Sequence, residues 1–152
     1  ERQKHSHLRD RISHRIGIHN DRVSQAAMKW LEVPENHPAD MTDERLLQRF
    51  ILASLYYGTH GPDAWKFGAL FLQPTHECSW NHQRNLGVTE CDEQDRVTRI
   101  VLSENGLKGT IPEVIGLLSE LRVLDVRGND LQGEVPKELS RLSNLVVLNM
   151  EG

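Results

Sequence analysis

The sequence predicts an α/β fold, a repeat solenoid with helices in front of it, and three observations carry that prediction. Residues 97–152 repeat with a period of 24, a length at which one strand-and-turn unit stacks on the next. Apolar residues keep the same places in each copy: Val97, Ile100, Leu102 and Leu107, then Leu121, Leu124, Val126 and Leu131, then Leu145, Leu148 and Met150. Ahead of the repeats, apolar residues recur at three- and four-residue spacing instead, the period of a helix face.

The chain has 152 residues, 38% of them hydrophobic, and a formal net charge of −4. That balance suits one or two soluble globular domains rather than a disordered or membrane chain. No run reaches the roughly 18–20 apolar residues of a spanning helix. The lack of a broad basic domain argues against nucleic acid as a partner. The chain opens on Glu1 without a methionine or a signal peptide, as a mature or partial chain would.

Residues 1–38 read as a basic helical extension. Leu8, Ile12, Ile16, His19 and Val23 fall on one helix face, although Gly17 weakens that helix. Arg2, Lys4, Arg9, Arg11, Arg15 and Arg22 outnumber Glu1, Asp10 and Asp21. Three readings compete: a solvated stalk, a helix whose stripe of Leu8, Ile12, Ile16 and Val23 docks on a partner chain, and a membrane-surface helix. If the stripe docks, charges at Ile12 and Ile16 weaken association without unfolding the repeats. His5, His7 and His14 lack the cysteine or carboxylate company of a metal site, so no metal is expected.

A helix is predicted from Ser24, as N-cap, through Leu31, with Ala27, Met28 and Leu31 on its apolar side. Pro34 and Pro38 interrupt the chain. The next helix is the clearest: Thr42 as cap, Asp43 and Glu44 near its positive end, Leu46, Leu47, Phe50, Ile51, Ser54 and Leu55 on one stripe, and Gly58 as its end. Its apolar face is expected to cover the open first edge of the repeat sheet.

Within each repeat the alternation places Ile100 and Leu102, or Leu124 and Val126, on one side of a short strand. Asn105 and Asn129 follow where the strand turns a corner, and an amide can both donate to and accept from the backbone groups freed there. Gly109 and Gly133 then suit a bend, and Pro112 and Pro136 open a short helical turn. Ile115 with Leu118, and Leu139 with Leu142, fill an outer layer.

The L-x-G-x-I-P element at 107–112, its counterpart at 131–136, the asparagines and the period together resemble the plant-type subclass of leucine-rich repeat proteins. Its members are mostly ectodomains of receptors, receptor-like proteins and secreted inhibitors. The resemblance implies a curved solenoid with a parallel sheet on its concave side, which the family uses to bind proteins, peptides or small ligands. Residues 39–96 resemble the N-terminal cap of such ectodomains: Trp65, then Cys78, Ser79 and Trp80, then Gly87, Val88 and Cys91, before Val97. The sequence departs from that pattern at Asn81 to Leu86, which lengthen one link, and at Glu90, which lengthens another. The block from Leu46 to Cys91 is closer in style to algal extracellular repeat proteins.

Two cysteines with no third, Cys78 and Cys91, suggest one disulfide and hence a secretory or otherwise oxidising compartment. The competing reading is a reduced pair in the core. Extracellular or cell-surface placement is expected, with any membrane anchor outside this segment, or else another oxidising lumen. No N-x-S/T sequon is present, so glycans obstruct neither face.

G-x-S-x-G, a glycine-rich phosphate loop and H-E-x-x-H are all absent, so neither catalytic residues nor a cofactor are expected. Two functions remain. One is a receptor-like module that binds a protein or peptide; the other is an assembly subunit that holds neighbouring chains together. Residues 97–152 are then two full repeats and part of a third, stopping at Gly152 where another asparagine is due. That ending predicts either further repeats or a partner over the last strand. The least constrained positions are the outward ones, aligned in columns by the register: Arg99, Val123 and Val147; Val101, Asp125 and Asn149; Ser103, Arg127 and Glu151. They form the candidate binding face, led by Asp125 and Arg127. The alternatives are a merely solvated sheet face, or Asp125 and Arg127 pairing with Arg99, Glu151 or each other.

Overall fold

A computed structural model describes residues 2–17 and 21–151, with side chains from His7 onward. His19, Gly152 and the side chain of His5 lie outside the described residues. Helix α1 spans Arg2–Ile16 and α2 spans Arg22–Leu31. Gly17 between them has a φ of +75°, a left-handed turn that costs glycine little. The predicted single stripe is therefore cut. Val23 falls on α2 and is half-buried, apart from Leu8, Ile12 and Ile16.

Those three residues are 2%, 0% and 9% exposed and belong to one buried cluster that runs on to Leu142. The expected partner-docking stripe is thus occupied by the chain's own core, and the first segment packs instead of projecting as a stalk. The α1 face carries leucine and isoleucine, and α3 offers it apolar surface within the same chain. Arg11 reinforces the contact by donating from Nη2 to Met41 O at 2.7 Å. His7 and His14 stay exposed on α1.

The cap of α2 is Asp21 rather than Ser24. Asp21 Oδ1 accepts the Ser24 N–H at 2.9 Å and Oδ2 accepts the Ser24 hydroxyl at 2.9 Å. Both residue types cap well, and because α2 starts at Arg22 it is Asp21 that stands at the cap. Helix α3, Asp43–Gly58, is capped as expected: Thr42 Oγ1 accepts the Arg45 N–H at 3.2 Å. Both α1 and α2 pack against it, and a single turn, α4, follows at Gly61–Ala64.

The strands are β1 (Asn81–His82), β2 (Leu86–Cys91), β3 (Val97–Val101), β4 (Lys108–Gly109), β5 (Val123–Asp125), β6 (Asp130–Leu131) and β7 (Val147–Asn149). The main sheet has the order β1-β2-β3-β5-β7, antiparallel at its first two pairings and parallel at its last two. A small parallel pair, β4 with β6, forms a second sheet. The result is a mixed α/β fold with a parallel-rich sheet. Behind it lies an outer layer of 3₁₀ turns at Glu113–Leu117 and Lys137–Arg141, where Ile115, Leu118, Leu139 and Leu142 are all buried.

Helix α3 does not cover the edge of β3; β2 takes that edge. A strand edge presents backbone donors and acceptors, which another strand satisfies and a helix, already bonded internally, does not. The apolar face of α3 meets the first 3₁₀ turn instead. Its end bonds as a neighbouring repeat would: Gly58 O accepts from Thr110 N–H at 3.2 Å and Thr59 O from Lys108 N–H at 3.1 Å. Gly109 O and Leu107 O receive Gln132 N–H and Asp130 N–H in the same manner, at 2.7 and 2.9 Å.

Candidate functional site

The parallel strands set the outward residues side by side. Arg99 pairs with Val123 and Val123 with Val147; Val101 pairs with Asp125 and Asp125 with Asn149. Beyond the strand ends the bonding continues, Glu104 N–H to Arg127 O at 2.8 Å and Gly128 N–H to Glu151 O at 2.7 Å, which carries the column of Ser103, Arg127 and Glu151. All nine residues share one face because a strand alternates its side chains. On the other side Ile100, Leu102, Leu124 and Val126 are at most 1% exposed.

This face is mixed in chemistry. Arg99, Arg127, Val147 and Glu151 are exposed, while Val101, Ser103, Val123, Asp125 and Asn149 are half-buried. Asp125 Oδ1 accepts the Arg127 N–H at 3.3 Å, and its Oδ2 lies 3.5 Å from Arg127 Nε. The two leading residues therefore pair with each other. Asn149 Oδ1 repeats the bond one strand on, accepting the Glu151 N–H at 3.4 Å. A pair this open to water contributes only about 0–1 kcal/mol to stability. Its effect is to hold the guanidinium over the middle strand.

The turn asparagines fix that face from behind. Asn129 Nδ2 donates to Leu102 O and Val126 O, each at 2.8 Å, and its Oδ1 accepts from Asn105 N–H at 2.9 Å and Leu107 N–H at 3.0 Å.

At the front of the sheet, Cys78 and Cys91 form a disulfide with a Cα–Cα distance of 6.0 Å. Of the two departures from the cap-like pattern, Asn81 to Leu86 close the β1–β2 hairpin. Around Glu90 the pairing is irregular: Val88 faces Ile100 and Glu90 faces Arg99, leaving Thr89 unopposed, and Cys91 then faces Val97, leaving Thr98 unopposed. Replacing both Cys78 and Cys91 with serine is expected to lower the unfolding free energy by about 3 kcal/mol, since a short loop loses its cross-link. Urea denaturation of the two forms checks this.

Under the disulfide sits a polar cluster that sequence reading missed. Glu77 is 0% exposed. It accepts from Arg45 Nη2 at 2.7 Å, Arg45 Nε at 3.2 Å, Gln48 Nε2 at 2.9 Å and Arg49 Nε at 3.1 Å. Burial pushes the Glu77 carboxyl up, but the donors from Arg45 and Gln48 and its own backbone N–H outweigh this and hold it below the usual carboxylate range. Burial pulls the Arg49 guanidinium down against the attraction of Glu77. Gln48 passes the order to the sheet, its Oε1 accepting the Val97 N–H at 2.8 Å. The available signal was Arg45, Gln48 and Arg49 at helical spacing beside an apolar stripe.

His76, Cys78 and Asp95 form a close group of metal-ligating types among the described residues. The Cys78 sulfur is already bonded to Cys91, so the group offers no thiolate. A groove of about 450 Å³ lies between α3, the turn at 94–96 and residues 117–120. Its rim charges are partnered, Arg96 with Asp92 at 2.8 Å and Glu120 at 3.4 Å, and Arg45 with Glu77.

Among the described residues no helix is long and apolar enough to cross a membrane. No solved structure matches the chain. The chain is 35% identical over 89 residues to a probable leucine-rich repeat receptor-like protein kinase of Arabidopsis thaliana, an alignment covering 55% of this chain and 9% of that protein. The match thus takes in a small fraction of the relative's length. Residues 120–142 match the Leucine Rich Repeat family model, and with the parallel strands and their aligned outward faces this establishes that the chain carries a leucine-rich repeat.

Proposed function

We propose that this chain is a non-catalytic binding module from a secreted or membrane-anchored receptor-like ectodomain. Its ligand is a protein or peptide, held on the sheet face formed by Arg99, Val101, Ser103, Val123, Asp125, Arg127, Val147, Asn149 and Glu151. The observation that carries the reading is the side-by-side pairing of these residues on three parallel strands, with the scaffold neighbours Ile100, Leu102, Leu124 and Val126 of the first two buried behind them. The receptor-like relative supports the ectodomain context, and the disulfide fits an extracellular or other oxidising compartment.

A peptide selected from a random displayed library on the disulfide-intact chain provides the test. Arg127→Glu sets two carboxylates together at Asp125 and removes the guanidinium paired with it, so binding is expected to fall at least about 100-fold. The melting temperature should move by no more than a few degrees, because the lost pair is a surface one. Unchanged binding in both Arg127→Glu and Asp125→Lys removes this face as the recognition surface.

A further inference from the structure

Two neighbouring loops hold most of the non-glycine left-handed backbone among the described residues, and where they meet two large apolar side chains stand in water. Eight described non-glycine residues have positive φ, and five of them are Ala69, Leu70, Leu72, Gln83 and Arg84, with φ between 52° and 65°. Crowding at Cβ makes this conformation costly for such residues. Three residues join His82 to Leu86 in the β1–β2 hairpin, and Gln83 and Arg84 are the central pair of the turn that Asn85 N–H closes on His82 O at 3.0 Å, where Asn-Gly would be the easy choice.

The first loop is fixed at both ends. Lys66 N–H donates to Asn105 O at 2.8 Å, Phe67 N–H to Asn105 Oδ1 at 2.9 Å, and Asn105 Nδ2 to Phe67 O at 2.9 Å. Beyond the bend Phe71 is buried against Tyr56, Trp65 and Trp80, and Leu72 O accepts from Trp30 Nε1 at 3.0 Å. Ala69 is buried against Gly87, where an added Cβ would come within 3.0 Å of the Ala69 Cβ. Between these anchors Phe67 is 57% and Leu70 56% exposed, and the Phe67 ring stacks on His82 at 6.2 Å and 14°.

The bend buries Ala69 and Phe71, but the exposure of Phe67 and Leu70 beside them adds nothing to folding. Strain of this kind persists where a surface has a use. Within the two loops the formal charge is of one sign, while Glu104 stands exposed just outside them, next to Asn105. Lys66, His82 and Arg84 are exposed around the pair, and segments 66–72 and 81–88 contain no aspartate or glutamate, in a chain of net charge −4.

We propose that Phe67 and Leu70, framed by Lys66, His82 and Arg84, form a second recognition surface for an acidic peptide segment with a large apolar side chain between its carboxylates. The apolar side chain replaces water over Phe67 and Leu70, and the carboxylates meet Lys66 and Arg84. This surface is separate from the strand columns and does not depend on Arg127.

Titration of the isotope-labelled, disulfide-intact chain with the peptide acetyl-DEFDE-amide, followed by amide chemical shifts, tests it. Saturable shifts confined to 66–72 and 82–84 are expected. Acetyl-DEADE-amide and acetyl-KKFKK-amide should each bind at least about tenfold more weakly, having lost the apolar anchor or the charge match. Phe67→Ser with Leu70→Ser should abolish the shifts, Arg84→Glu should weaken them about tenfold in an exposed turn, and Arg127→Glu should leave them unchanged. The proposal is overturned by absence of saturable shifts, by shifts centred on the strands, by equal binding of the lysine peptide, or by survival in the double variant. Binding to phosphatidylserine vesicles without binding to the acidic peptide also overturns it and identifies a lipid surface instead.

Discussion

Glu77→Ala is expected to lower the unfolding free energy by about 3–5 kcal/mol. The substitution leaves Arg49, whose side chain is 1% exposed, buried beside no carboxylate, with Arg45 close by. Like charges then face each other in a site from which water is largely excluded. The three remaining Arg49 bonds, to Asn36 O at 3.2 Å, Thr75 O at 2.6 Å and Pro74 O at 3.3 Å, hold the guanidinium where it is. The Trp30 and Trp80 rings, 5.8 and 5.4 Å from its centre, do the same, so it has no easy way out to solvent. Guanidinium denaturation of wild type and variant measures the loss, and a change below about 1 kcal/mol would show that the cluster is not structural.

The same carboxylate gives the fold an acid sensitivity of defined sign. Its folded value lies below the ordinary one, so its contribution is complete above the unfolded carboxylate value of about 4.3 and disappears as pH falls through the lower folded value. Wild type is therefore expected to lose stability on acidification below about pH 4.3 more steeply than Glu77→Gln, which has no proton to take up there. Parallel acid curves for the two would rule out this assignment.

Ile12→Glu is expected to destabilise the docking of α1 by about 3 kcal/mol or more, because an unpaired carboxylate enters a site with 0% exposure. The loss is limited to whatever α1 contributes, since a terminal helix can release without unfolding the sheet. It should therefore appear first as faster hydrogen exchange in α1 and along its contact on α3, with the strands still protected. Val23→Glu, at a half-buried position on α2, is expected to cost under about 1 kcal/mol. A stripe reserved for a partner chain would give the opposite result for Ile12, leaving the lone chain unchanged. Exchange rates at neutral pH decide between them.

Patterns that live within a few residues of sequence were legible in advance. The alternation that buries Ile100, Leu102, Leu124 and Val126, the proline-led turns that bury Ile115 and Leu139, the Thr42 cap and the end of α3 at Gly58 all follow from local period and local chemistry. The columns on the sheet face were legible for the same reason, because a fixed register carries one strand's outward residues onto the next. Periodicity, however, names a face without naming what the face meets. The stripe on α1 and the stripe on α3 were both readable as apolar, yet only packing decided that the first joins the chain's own core and that the second lies behind the sheet, leaving its edge to β2. Glu77 and its partners are 28 to 32 residues apart, and nothing local marks such a bond. Ser24 was expected to cap α2, and only the structure showed the helix starting at Arg22 with Asp21 as its cap. The sequence by itself determined the repeat, its register and which residues face outward; the tertiary structure alone decided which buried charges meet and where Phe67 stands exposed. Contacts between distant segments depend on the path of the whole chain, whereas period and capping depend only on neighbours.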